Sequence, residues 1–96
     1  MKFEWDEKKN KINQTKHDIS FEIAETVFED DLAYYMQDFI HSNEEERFIV
    51  IGRDMVFNIL TVCYCERDFD IIRLISARMA TKKEKDIYYK NGGNLK

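Results

Sequence analysis

"MVFNILTVCYCERDFDIIRLISAR", residues 55–78, holds two β-rich runs parted by a short charged break, and that break decides the architecture. Arg67 to Asp70 is hairpin-sized and too short for a helical crossover, so "MVFNILTVCYCE" and "IIRLISAR" are expected to pair antiparallel. The same reasoning extends upstream. "ERFIVIG" is apolar up to Gly52 and joins the first run through Arg53 and Asp54, while the weakly alternating "LAYYMQDF" joins "ERFIVIG" through Asn43 to Glu46. Four strands in a meander follow from breaks of this length.

Helices flank the strands. "KFEW" reads as a short strand, and Asp6 is placed to cap a helix over about residues 7–16. Ser20 can cap "FEIAETVF", where Phe21, Ala24, Val27 and Phe28 recur at the 3,4 spacing of an apolar helix face. Thr81-Lys82-Lys83-Glu84 is a capping box for a last helix that stops before Gly92 and Gly93. The expected fold is α+β: N-terminal helices packed on a four-stranded antiparallel sheet, with a C-terminal helix.

Ninety-six residues suffice for one core, and no proline, repeat or linker marks a boundary, so residues 1–96 are expected to form a single domain. With 44% hydrophobic and 35% charged residues the chain has the composition of a folded globular protein. Its apolar runs are far short of a membrane span and "MKFEWDEKKNK" is too charged for a signal peptide, which points to the cytoplasm and away from membranes. Cys63 and Cys65 share one strand face, along a backbone too extended for an easy mutual disulfide, so they are read as free thiols. His17 and His41 have no zinc-type spacing to them, and neither a metal nor another cofactor is expected.

The net charge of −4 hides an uneven distribution. Ser20 to Asp54 carries ten acidic and two basic residues, whereas Lys8 to His17 has four lysines and no acid, and Arg78 to Lys96 has six basic and two acidic residues. A polyanion would approach the two chain ends if they meet in space. On the first helix, Lys9, Asn13, Lys16 and His17 fall along one side, either a solvated face or a row of two ammonium donors and an imidazole able to exchange a proton.

Arg67 sits in the hairpin "ERDFD", and Arg73 and Arg78 interrupt the last strand. Strict alternation would place Arg78 on one face with Ile72, Leu74 and Ser76, and Arg73 on the other, where an acid such as Glu66 or Asp70 would pair with it. Arg78, at the strand end, is then the better phosphate ligand, because a guanidinium fork matches phosphate oxygens at any workable pH. Arginines beside a proton-transfer group suit RNA cleavage, in which the ribose 2′-hydroxyl attacks its own phosphate and no metal is needed. Tyr34, Tyr35, Tyr64, Tyr88 and Tyr89 could stack bases, although such spacing usually serves the core.

"WDEKKNKINQTKHDISF" resembles the opening signature of the BrnT toxins of bacterial type II toxin–antitoxin systems, and "ERFIVIG", "VCYCERD" and "RLISARMATKKEKDIYY" resemble the rest, nearly end to end. The resemblance implies a small cytoplasmic, metal-independent ribonuclease with a RelE-like fold that cuts RNA and inhibits growth. It also implies neutralisation by a BrnA-like ribbon-helix-helix antitoxin, through which alone DNA is contacted. By the same resemblance Lys9, Lys16, His17, Arg67 and Arg78 are the candidate active surface, whereas Glu84, also a family position, is explained by its capping role. Asp18 stands where the family usually has glycine, and a carboxylate there favours the imidazolium of His17 while repelling RNA phosphate. The alternative is a catalytically inactive antitoxin- or RNA-binding module, in which Glu29 to Asp31 and Glu44 to Glu46 would dock a basic partner.

Overall fold

The structure is a computed structural model that describes residues 1–43 and 45–93. Glu44, within the acidic stretch and hairpin break named above, and Lys96, within the basic C-terminal end, lie outside the described residues. In chain order the elements are β1 (Lys2–Glu4), α1 (Glu7–His17), α2 (Phe21–Ala24) with a 3₁₀ turn (Glu25–Glu29), β2 (Tyr34–Gln37), β3 (Phe48–Arg53), β4 (Ile59–Arg67), β5 (Ile71–Met79) and α3 (Lys82–Tyr88).

The helix starts follow from their caps. The Asp6 carboxylate accepts the Lys8 N–H at 2.8 Å, and the Ser20 hydroxyl accepts the Ile23 N–H at 3.2 Å. At α3 the capping box closes in both directions, with the Glu84 carboxylate taking the Thr81 N–H at 2.9 Å and the Thr81 hydroxyl taking the Glu84 N–H at 3.2 Å. α1 ends at Asp18, whose φ of 59° and ψ of 32° put a non-glycine residue in the left-handed region. That conformation is the physical reason a glycine suits the position. "FEIAETVF" does not continue as one helix: after Ala24 the chain tightens into the 3₁₀ turn, where the Thr26 hydroxyl donates to the Ile23 carbonyl at 2.6 Å.

The sheet has five strands, in the order β1-β5-β4-β3-β2, and is mixed instead of four-stranded and antiparallel. β2 to β5 form the expected meander, and β1 adds to the outer edge of β5 in parallel, with Phe3 opposite Ile72 and Glu4 opposite Arg73. Three residues of strand were legible at the N-terminus, but their partner was not, because pairing across nearly seventy positions leaves no local signal. β1 satisfies ladder groups of Ile71 to Arg73 that a meander would leave bare at its edge.

One face of the sheet is closed. Phe21, Ala24 and Val27 from the helical segment pack on Val50, Leu60, Val62, Tyr64, Leu74 and Ala77, with Phe3, Trp5 and Phe28 sealing the margin. Among the described residues the other face is closed only at one end, where Tyr88 and Ile87 of α3 cover Ile51 and Ile59 beside Tyr34 and Met36. Asp30 ties this end to the closed side, accepting the Tyr88 hydroxyl at 2.6 Å and the Arg53 N–H at 2.8 Å. Burial alone would raise the Asp30 carboxyl, but these bonds outweigh it and hold it below its ordinary value, while burial and Asp30 together push the Tyr88 phenol up to about 12.

Candidate functional site

Register on β5 decides what the open face carries. Cys63 pairs with Ser76 but Tyr64 pairs with Leu74, so Ile75 is an extra residue, a β-bulge. Beyond the bulge Ala77, and not Ser76, turns to the closed core, and Arg78 lands opposite Thr61 on the open face. Arg73, opposite Cys65, is on that same face. Strict alternation had put the two arginines on different faces; one inserted residue brings them together. Nothing in "RLISAR" announces it.

Arg73 is held by Glu4 at 2.8 Å, not by Glu66 or Asp70. The reason is the unforeseen parallel strand, which sets Glu4 beside it, while Asp70 takes the N-terminal ammonium at 2.9 Å. Arg67 lies on the open face opposite Ile71 and pairs with Glu45 through Nε at 3.1 Å. Six residues of extended strand separate it from Thr61, the partner of Arg78, or roughly 20 Å. The two arginines therefore share a face but cannot grip one phosphate.

Arg78 is gripped by Glu84, with Nη1 to Oε1 at 2.7 Å and Nη2 to Oε2 at 2.9 Å. Thr61 adds its hydroxyl to the same carboxylate at 2.9 Å. The Arg78 hydrogen bond, against the opposing effect of burial, lowers the Glu84 carboxyl to about 2, so it stays ionised and is a poor proton acceptor. Capping thus accounts for only part of Glu84, which also aims the guanidinium and, among the described residues, leaves the Arg78 Nε–H unused.

α1 is moored to the free edge of β5 beyond the end of β1. The Asn13 amide donates to the carbonyls of Ala77 and Ile19, both at 2.8 Å, and accepts the Ala77 N–H at 3.0 Å. Asn10, also buried, takes the Phe21 N–H at 2.9 Å and donates to Glu22 at 3.0 Å. Because Lys9, Lys16 and His17 share the side of the helix that carries Asn13, they line this edge next to the strand of Arg78. Lys9 and Lys16 are exposed and His17 is partly so, and among the described residues none of the three makes an ion pair or side-chain hydrogen bond.

Three residues not read as functional in the sequence complete the open face. The β2–β3 connection places Asp38, His41 and Arg47 at one rim of a cavity of about 240 Å³, with Ile49, Thr61 and Cys63 on its floor and Ile75, Ser76 and Arg78 on the far side. Asp38 is 7% exposed, and its Oδ2 lies 2.8 Å from Nδ1 of His41. A second hollow, lined by His41, Asn43, Glu45 and Arg47, continues the trough toward the ion pair of Arg67. The break at Asn43 to Glu46 was read as a hairpin, but its register was not: Asp38 N–H donates to the Arg47 carbonyl, which sets the two residues side by side. Burial first and then Asp38 push the Cys63 thiol up, which disfavours its thiolate form.

A family model described as "Ribonuclease toxin, BrnT, of type II toxin-antitoxin system" matches residues 5–84. The crystal structure of the Brucella abortus ribonuclease toxin BrnT is similar over 85% of this chain and 99% of its own, with a TM-score of 0.67 and 25% identity. No curated protein matches the chain.

Proposed function

The chain belongs to the BrnT family of ribonuclease toxins of type II toxin–antitoxin systems, and from that premise we propose that it cleaves RNA on the open face of its sheet, without a metal ion. The 2′-hydroxyl would attack the adjacent phosphorus, and Arg78, aimed by Glu84, would stabilise charge on the phosphorane. Lys9, Lys16 and His17 along the β5 edge, and Arg67 at the far end of the trough, hold the flanking backbone, each as a separate phosphate contact. The observation that carries this reading is Arg78 lining a cavity, with Asp38, His41 and Arg47 at its rim, on a face that the helical segment leaves uncovered.

The partner is an antitoxin, proposed as BrnA-like with a ribbon-helix-helix end, and the site of action is cytoplasmic RNA. The test is cleavage of RNA by the purified chain in EDTA: Arg78→Ala should lower the rate about a hundredfold to a thousandfold, whereas Arg67→Ala should mainly raise KM. Unchanged activity in Arg78→Ala rejects the site.

One observation favours a second reading, a catalytically inactive antitoxin- or RNA-binding module. Both terminal nitrogens of Arg78 already serve Glu84, which neutralises the charge a phosphate would seek. Expression of the chain alone separates the two, because growth arrest requires the first.

A further inference from the structure

The ribonuclease reading needs a group that moves a proton, and its location follows from what else lines the cavity. Glu84, outside the lining residues but bound to Arg78, is held ionised by that bond and takes protons poorly, and burial pushes up the thiol of Cys63, which does line the cavity. Thr61, Ser76 and the two arginines are poor proton acceptors near neutral pH. His17 is on the α1 stripe, outside the residues that line this cavity. Only the pair of Asp38 and His41 remains among the described lining residues.

The pair has the geometry of an acid–base dyad. Asp38 is almost fully buried, while the His41 side chain keeps 63% of its surface exposed. Core packing therefore gives no reason for an imidazole at position 41. The turn is secured by other bonds: the Ser42 hydroxyl donates to the Asp38 carbonyl at 2.6 Å and accepts the Arg47 N–H at 2.9 Å. With Nδ1–H donated to the Asp38 carboxylate, Nε2 is the nitrogen left for chemistry, a tautomer inferred from this contact. Arg47 stands on the same rim, and among the described residues its guanidinium makes no ion pair.

We propose that this cavity is the reaction centre for an RNA phosphodiester, with His41 as the proton-transfer group, Asp38 as the residue that positions it, and Arg47 and Arg78 holding the phosphate from opposite sides. The assignment rests on the ribonuclease reading and sharpens it. Nε2 accepts the 2′-hydroxyl proton as the O2′–P bond forms; the P–O5′ bond breaks, and the leaving oxygen takes a proton from water. The imidazolium then neutralises the hydroxide. The products are a 2′,3′-cyclic phosphate and a 5′-hydroxyl, and His41 ends as it began.

The experiment uses the full chain and an RNA oligonucleotide in EDTA. His41→Gln should lower kcat about a hundredfold or more with KM little changed. His41→Ala should be inactive alone and partly restored by added imidazole, which can enter because the side chain is exposed. Asp38→Asn should lower kcat in the parent chain but have no further effect in the His41→Ala background, as a group acting only through the imidazole must. Arg47→Ala should raise KM about tenfold. His41→Gln that keeps kcat within threefold, while Arg78→Ala is inactive, overturns the assignment and leaves the ribonuclease reading intact. Absence of imidazole rescue, or an unchanged KM in Arg47→Ala, overturns it as well. Parent chain that cleaves no RNA removes the ribonuclease reading itself.

Discussion

The closed face of the sheet buries Val50, Leu60, Val62 and Leu74 at 1% exposure or less, whereas the open face, one residue along each strand, leaves Cys63, Ser76, Arg73 and Arg78 partly exposed. The same strands thus supply both a dry core and a trough that carries charged side chains. The difference teaches a division of labour: the closed face holds the fold, and the open face is stabilised by ion pairs that also position its cations. Arg78 belongs to the second class only because Ile75 bulges.

The sharpest way to break the comparison uses neighbouring positions on β5. Leu74→Ala should cost about 2–5 kcal/mol, since a side chain with 1% exposure leaves a cavity behind. Ile75→Ala on the open face should cost much less. Urea denaturation of both variants checks this, and equal losses would mean that the two faces are not distinct.

Next in size is the joint between α1 and the sheet. Asn13→Ala removes both bonds to Ala77 and the one to Ile19, leaving buried backbone groups unpaired. A loss of about 2–3 kcal/mol is expected from the same denaturation measurement. Hydrogen exchange should also rise at Ala77 before it rises in β4.

The open-face ion pair has a smaller and pH-dependent share. Glu84 is lowered from 4.5 to about 2, chiefly by the Arg78 hydrogen bond. A depressed carboxyl contributes stability in full above its unfolded value near 4.5, and that share is lost as pH falls through about 2. Glu84→Gln should therefore cost about 1–2 kcal/mol at pH 7, allowing for solvent around a partly exposed pair, and only a few tenths at most at about pH 2. Thermal melts across this range check the sign; an equal loss at both ends would contradict it.

The smallest effect concerns Asp18. Because its φ is 59°, Asp18→Gly should relieve backbone strain and stabilise the chain by about 0.5 kcal/mol. Calorimetry that finds a loss instead would show that the carboxylate makes its own contribution beside His17.

Much of this protein was legible in its residues. The caps at Asp6, Ser20 and Thr81, the 3,4 spacing of Phe21, Ala24 and Val27, and the hairpin-sized breaks located the elements, and the resemblance carried by "WDEKKNKINQTKHDISF" agrees with the family found. The candidate site was read less completely. Arg78 and the α1 stripe were visible as cations, but Asp38, His41 and Arg47 meet only when β2 and β3 pair.

The sequence by itself determined the order of elements, the closed core and the family, because caps and hydrophobic periods act over a few neighbouring residues. Tertiary structure alone decided that β1 joins β5 in parallel, that Ile75 bulges, and that Arg78 therefore faces a cavity shared with His41. These depend on strand pairing between residues far apart in the chain, and a one-residue change in that pairing turns every later side chain to the opposite face.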